Sequence, residues 1–219
     1  MGDDLLYVVE IFHSLQGEGR LIGTPSWFVR VAGCNLDCAW CDTKYSRDEK
    51  GDPMTIAEIV DWLAATPARD VCLTGGEPLL QNGTFHLLEV LSDKGYRTTV
   101  ETNGSLPIDP VLKIEYARVS MDIKCPSSLM QDRMLLENIP KLRDEDDIKF
   151  VISDRFDMDH AITTLKEYQC AAQVVFQPCG MKKMERLAQW VLREKVLLER
   201  EVRVLPQLHK MIWGDKRGV

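Results

Sequence analysis

No apolar stretch of this 219-residue chain approaches the roughly 20 residues that would span a bilayer. Its start, Met1, Gly2, Asp3 and Asp4, is acidic, where a secretory signal would carry positive charge followed by an apolar run. Internal repeats, low-complexity segments and linkers rich in Pro, Gly or Ser are all missing. There is no basic excess either: 27 Lys and Arg stand against 34 Asp and Glu, a net charge of −7. Proteins that grip nucleic acid through its phosphates carry the opposite balance, so no nucleic-acid footprint is expected. These absences predict a soluble, cytoplasmic protein with no membrane partner. With 45% hydrophobic and 28% charged residues, the composition is that of an ordinary globular chain, long enough for one sizeable domain.

What is present is an alternation of short β-branched runs with longer helical patterns. Strands are predicted at residues 5–12, 27–31, 71–74, 98–101, 118–122, 148–152, 173–177 and 202–205, and helices at 56–65, 84–94, 132–142, 157–168 and 183–198. Thr55 and Glu58 make a capping-box pair at the first helix, and Gly95 follows the second as a stop signal. Strand–helix alternation implies right-handed βαβ units and a parallel sheet. About six such strands, beginning near Trp27, predict an α/β fold: an incomplete parallel (β/α) barrel rather than a closed eightfold one.

The unusual residues cluster after the strands. A cysteine loop follows residues 27–31, Gly75-Gly76-Glu77-Pro78 follows 71–74, and Thr102-Asn103-Gly104 follows 98–101. Lys124-Cys125-Pro126, Pro178-Cys179-Gly180 and Gln207-Leu208-His209 come next in the same way. Parallel α/β folds build their sites at these carboxyl ends.

Seven cysteines, an odd number, argue against a secreted disulfide framework. Cys34, Cys38 and Cys41 form a C-x3-C-x2-C loop. A structural zinc site wants four protein ligands, and an ordinary [4Fe–4S] carrier wants four cysteines. Three thiolates around such a cluster leave one iron open to a small molecule. The alternative is a zinc site completed by distant Cys72 or His13. Cys72, Cys125, Cys170 and Cys179 read as small buried residues. The acidic stretch Arg143-Asp144-Glu145-Asp146-Asp147 reads as a solvated loop.

The three-cysteine loop resembles the signature of the radical S-adenosylmethionine (radical SAM) superfamily, in which SAM chelates the open iron. Gly75-Gly76-Glu77-Pro78 is similar to that superfamily's SAM-binding turn. A finer resemblance covers almost the whole chain. Leu15-Gln16-Gly17-Glu18-Gly19, residues Phe28 to Cys34, Trp40-Cys41-Asp42-Thr43, Glu101-Thr102-Asn103-Gly104, Asp122-Ile123-Lys124-Cys125-Pro126 and Gln207-Leu208-His209-Lys210 look like the 7-carboxy-7-deazaguanine synthase family. That family makes the deazapurine core of the tRNA bases queuosine and archaeosine.

The resemblance implies roles residue by residue. Cys34, Cys38 and Cys41 would ligate a [4Fe–4S] cluster. Trp40, Cys41, Asp42, Gly76, Glu77, Ser120, Asp122, Lys124, Gln177, Pro178, Cys179 and Gly180 would surround SAM, with Glu77 holding its ammonium. Leu15, Gln16, Gly17, Glu18, Arg30, Thr74 and His209 would hold a pterin, and Thr43 would ligate Mg²⁺. The chain would then be one radical SAM domain over residues 1–219. A substrate-binding extension would occupy about residues 1–26 and a short tail about residues 206–219.

The implied reaction is radical SAM lyase chemistry. A reduced cluster cleaves SAM, and the resulting 5′-deoxyadenosyl radical takes a hydrogen from C6 of 6-carboxy-5,6,7,8-tetrahydropterin. Ring contraction with loss of ammonia gives 7-carboxy-7-deazaguanine. The electron would come from a partner such as flavodoxin or ferredoxin, and the expected assembly is a homodimer. Two alternatives stand beside this: a glycyl-radical-activating enzyme, and a zinc or iron–sulfur module without catalysis.

Overall fold

The computed structural model describes residues 4–180 and 183–219, so residues 1–3 of the acidic start lie outside the described residues. Nine strands share one sheet: β1 (Leu5–Leu15), β2 (Pro25–Val31), β3 (Asp52–Thr55), β4 (Asp70–Gly75), β5 (Arg97–Thr102), β6 (Ala117–Ile123), β7 (Asp147–Ile152), β8 (Gln173–Pro178) and β9 (Val202–Val204). Their order across the sheet is β3-β1-β2-β4-β5-β6-β7-β8-β9. β1 runs antiparallel to both β2 and β3. From β2 onward every neighbour is parallel. The six expected parallel strands are therefore there, with short β9 as a seventh at the edge of an open barrel.

Strand alternation separates the two faces of this sheet. One face carries Val29, Leu73, Val100, Met121, Phe150 and Phe176, all buried in the main core. Leu63 of α2 (Ile56–Leu63), Leu91 of α3 (Gly83–Asp93), Leu165 of α5 (Arg155–Glu167) and Leu187 of α6 (Met184–Arg193) join the same core. The other face carries Arg30, Thr74, Glu101, Ser120, Asp122, Lys149 and Gln177, which together line one cavity. Apolar residues thus hold the helices outside, and polar ones are left to face inward.

Local signals explain several element ends. The capping box of α2 is formed: Glu58 N–H donates to Thr55 Oγ1 at 3.2 Å, and Thr55 N–H to Glu58 Oε2 at 2.7 Å. Gly95 takes φ +75 after α3, which a left-handed helix stop requires.

Three expectations are corrected. Residues 132–142 do not form an α-helix but two short 3-10 helices, Gln131–Arg133 and Leu136–Lys141. Pro140 sits inside the second, and its missing N–H and bulky ring oppose an α-helical ladder. The helix expected over residues 183–198 breaks at Glu194, which is extended (φ −92, ψ 105), giving α6 and a short α7 (Lys195–Leu198). The acidic stretch is a solvated loop only at Asp144 and Glu145, which are exposed. Asp146 is fully buried, and its carboxylate accepts from Val119 N–H at 2.7 Å and Arg143 N–H at 2.8 Å. Asp147 pairs with Arg20 Nε at 2.8 Å.

Four short elements carried no clear sequence period: β3, α1 (Lys44–Asp48), α4 (Asp109–Leu112) and α8 (Leu208–Trp213). No helix among the described residues is long and apolar enough to cross a membrane.

Candidate active site

A cavity of about 320 Å³ opens at the carboxyl ends of the parallel strands. This is the size of a small-molecule site. Of the residues to which the resemblance gives a cluster, SAM, pterin or Mg²⁺ role, all line it except Glu77. The cysteine loop, which follows β2, and the Gln16–Glu18 loop, which follows β1, both line it.

The cysteine loop leaves β2 through Gly33 (φ +86) and is pinned by Gly33 N–H donating to Ser46 O at 2.8 Å. Ala39 N–H donates to Ser128 O at 3.0 Å, and the Trp40 indole N–H to Ser127 Oγ at 3.0 Å. All three thiols are free. Burial pushes Cys34 up, and pushes Cys38 up to about 11. A bound metal reverses that preference, because it coordinates and deprotonates the thiol outright. Two donors already point at Cys34 Sγ, Leu36 N–H at 3.5 Å and Asn103 Nδ2 at 3.7 Å. Among the described residues no group of three or more His, Cys, Asp or Glu is arranged to hold a single metal ion, with or without Cys72 or His13.

The Gly75-Gly76-Glu77-Pro78 turn is stitched onto the start of this loop. Gly76 N–H donates to Val31 O at 3.1 Å, and Glu77 N–H to Gly33 O at 2.8 Å. A Cβ on Gly76 would fall onto the Gly33 carbonyl oxygen, and one on Gly75 onto that of Val31. Only glycine allows the two backbones to meet so closely.

Glu77, expected to meet the cofactor through its side chain, does not line the cavity. It is 0% exposed, and its carboxylate accepts from Leu79 N–H at 3.0 Å, Thr102 Oγ1 at 2.8 Å and Asn103 N–H at 2.6 Å. It ties β4 to the end of β5. The motif's acid is here an internal strut.

The SAM-side residues do converge. Lys124 Nζ sits 2.9 Å from Asp122 Oδ2 and 5.3 Å from the centre of the Trp40 ring. Asp122 Oδ1 and Gln177 Nε2 are buried without a partner among the described residues, yet both side chains line the cavity. Buried polar atoms are nearly always satisfied, so two orphans at one cavity wall fit a polar ligand. With three free thiols beside them, the residues present fit an iron–sulfur cluster and SAM.

On the substrate side, Gln16 folds its Oε1 back onto Gly17 N–H at 2.7 Å and gives Nε2 to Glu101 Oε1 at 3.3 Å. Thr74 Oγ1 donates to Glu101 Oε2 at 2.8 Å. Arg30 gives its Nε to Glu10 at 2.7 Å and lies 5.9 Å from the Phe12 ring centre. Leu15 lines the same wall. Glu18 pairs with Lys149 at 2.6 Å; burial opposes its ionisation, but Lys149 outweighs that and holds the carboxyl below its ordinary range. Thr43 stands at the N-terminus of α1 without using its side chain as a cap; its hydroxyl is 3.9 Å from Cys41 Sγ. His209 rests on Gly17, where any Cβ would strike its ring.

Several lining residues have no individual role in the sequence reading: Glu101, Gln207 and Lys210, which stand in quoted motifs, the tail at residues 214–219, and Lys149, which is not singled out there at all. The interruption of an apolar run by Lys149, in Ile148-Lys149-Phe150-Val151-Ile152, was the one available signal. Gln207 Nε2 bridges Glu18 at 2.8 Å and Asp42 at 3.1 Å, while Lys210 pairs with Asp42 at 3.0 Å.

Residues 28–149 match the radical SAM superfamily. The 7-carboxy-7-deazaguanine synthase of Thermoplasma acidophilum is 37% identical over 98% of this chain and 100% of its own. That of Clostridium acetobutylicum is 39% identical over 97% of this chain and 98% of its own. The crystal structure of QueE from Escherichia coli has the same fold, with a TM-score of 0.73 at 22% identity, covering 94% of this chain and 95% of that one. Full-length kinship of this kind, on a chain whose cysteine loop and glycine turn meet at one cavity, establishes that it belongs to the 7-carboxy-7-deazaguanine synthase family of radical SAM enzymes.

Proposed function

We propose that this cavity binds SAM and 6-carboxy-5,6,7,8-tetrahydropterin side by side and converts the pterin to 7-carboxy-7-deazaguanine with loss of ammonia, a lyase reaction. The observation that carries the reading is the joining of the cysteine loop and the Gln16–Glu18 loop at a single cavity. A glycyl-radical-activating enzyme would need neither that second loop nor Thr43.

When bound to Cys34, Cys38 and Cys41, the cluster supplies, together with SAM, the one-electron chemistry that removes hydrogen from C6 of the pterin. The chain's own work is to hold and orient. Trp40, Asp42, Gly76, Ser120, Asp122, Lys124 and residues 177–180 would cradle SAM; the orphaned Asp122 Oδ1 and Gln177 Nε2 support this. Arg30, braced at Nε by Glu10, would present the rest of its guanidinium to the substrate carboxylate as a fork. Gln16, Glu18 and Thr74 offer the donors and acceptors that a pterin edge requires, and Leu15, Gly17 and His209 would close around it. Thr43, its hydroxyl not spent as a cap, would be a weak oxygen ligand to Mg²⁺, an ion that keeps most of its positions for water and substrate.

In the same reading, residues 1–219 work as one domain. About residues 1–26 and the tail from about residue 206 serve the substrate, which the Glu18–Gln207 hydrogen bond supports. Family kinship supports a flavodoxin- or ferredoxin-like electron donor, a homodimer and a cytoplasmic setting. Anaerobic incubation of the cluster-loaded protein with SAM, reductant, Mg²⁺ and the carboxypterin, read by mass spectrometry, tests the whole. Product of the deazaguanine mass with ammonia release is expected. Full cluster loading with an unchanged pterin would overturn the reading.

A further inference from the structure

Lys149 is buried to 8% exposure in mid-strand, between the core residues Ile148 and Phe150. A lone ammonium there carries a heavy desolvation penalty unless it is well paired. Its partners come from both halves of the cavity. Nζ lies 2.6 Å from Glu18 Oε2, on the substrate loop, and 3.6 Å from Asp122 Oδ2, on the SAM side. Asp122 is its register neighbour on β6, so the pair is fixed by the sheet itself.

The network continues outward in both directions. Lys124 holds Asp122 at 2.9 Å, and Gln207 links Glu18 to Asp42, which Lys210 pairs at 3.0 Å. Charge alternates from Lys124 through Asp122 and Lys149 to Glu18, and Lys149 joins the two halves of this line. Among the described residues, Asp122 keeps one buried oxygen, Oδ1, without a partner.

We propose that Lys149 is a positioning residue that fixes the Glu18 and Asp122 carboxylates relative to one another, so that occupation of the SAM side favours binding of the pterin. This rests on the proposed function of the site. A ligand that engages Asp122 Oδ1 immobilises Asp122, and with it Lys149 and Glu18. The ordering cost of the Glu18 loop is then met before the pterin arrives, which is positive coupling between two sites. Burial opposes the charge on Lys149, but Glu18 and Asp122 together outweigh it and keep the ammonium fully charged.

The test is anaerobic calorimetry on the cluster-loaded protein, titrating the carboxypterin with and without saturating SAM. Wild type is expected to bind the pterin several-fold more tightly when SAM is present. Lys149→Met should abolish that difference while iron content per chain stays at the wild-type level, and Lys149→Arg should restore part of it. Removing one partner of a buried pair can unfold a chain, so Glu18→Gln and the Glu18→Gln/Lys149→Met double variant complete a cycle in which both charges leave together. In the Glu18→Gln background, adding Lys149→Met should no longer change pterin affinity. A Lys149→Met protein that keeps the SAM effect, or an unchanged Lys149 effect in the Glu18→Gln background, overturns the inference alone. A wild type that binds SAM but no pterin overturns the functional reading and this inference with it.

Discussion

Arg217 grips Glu49 at two points, Nη1 to Oε1 at 2.8 Å and Nη2 to Oε2 at 2.9 Å, and lies 4.0 Å over the Tyr45 ring. Its Nε reaches Glu10 at 3.0 Å, the carboxylate that also braces Arg30. One guanidinium thus pins the cavity-lining tail to β1 and α1. Exposed pairs of this kind contribute about 0–1 kcal/mol to stability, so Arg217→Ala should barely move the melting temperature. Its effect should fall on the substrate: KM for the carboxypterin rises several-fold in steady-state assays while kcat changes little. An unchanged KM would show that the tail does not shape the pocket.

Gly76→Ala should act on the cysteine loop, although Gly76 sits in the turn after β4, well beyond Cys41 in sequence. The added methyl would fall onto the Gly33 carbonyl and within 3.0 Å of Cys34 Cβ, and that carbonyl is held by Glu77 N–H. Overpacking of this sort costs about 1–3 kcal/mol. The expected result is a lower melting temperature and substoichiometric iron after reconstitution; a fully loaded, equally stable variant would refute the contact.

Glu77→Gln separates a strut from a ligand. Three donors converge on this carboxylate, so an amide sets one donor against another in a buried place, at about 1–3 kcal/mol. Thermal melts should register that loss, while SAM affinity of the folded, loaded protein stays at the wild-type value. Normal stability with lost SAM binding would return Glu77 to the cofactor.

Thr43→Ala should leave iron content and SAM binding intact and remove most of the Mg²⁺ stimulation of turnover. Thr43→Asp should recover part of it, because it supplies a charged oxygen. The measurement is initial rate against Mg²⁺ concentration; a wild-type curve from Thr43→Ala would rule the hydroxyl out as a ligand.

The legible parts of this protein are those whose partners lie close in sequence. Cys34, Cys38 and Cys41 occupy a single turn-rich loop, and the glycine turn after β4 has its own spacing, so both could be placed at strand ends without coordinates. Lys149 could not, because its meaning depends on Glu18, 131 residues away. The contacts of Glu77 were hidden for a related reason: a motif fixes the course of the backbone, whereas the direction of a buried carboxylate is set by whichever donors the fold brings to it. The buried end of the acidic stretch was hidden in the same way, since Asp146 serves the backbone N–H of Val119 on a neighbouring strand. Pro140 was visible throughout and should have outweighed the apolar spacing around it.

The two halves of the cavity differ in how much polypeptide must exist before they can form. The cysteine loop needs its own turn, the glycine turn that clasps Gly33, the Asn103 that faces Cys34, and Ser127 and Ser128, which bond Trp40 and Ala39, so nothing later than residue 128. The pocket facing Gln16 and Glu18 is closed by Gln207, His209 and Arg217, across separations as great as the 207 residues between Arg217 and Glu10. Contacts so distant form late, since the intervening chain must be ordered first. During synthesis, therefore, the cradle for the metal centre precedes the walls around the substrate, and a nascent chain can shelter its thiols well before it can hold a pterin.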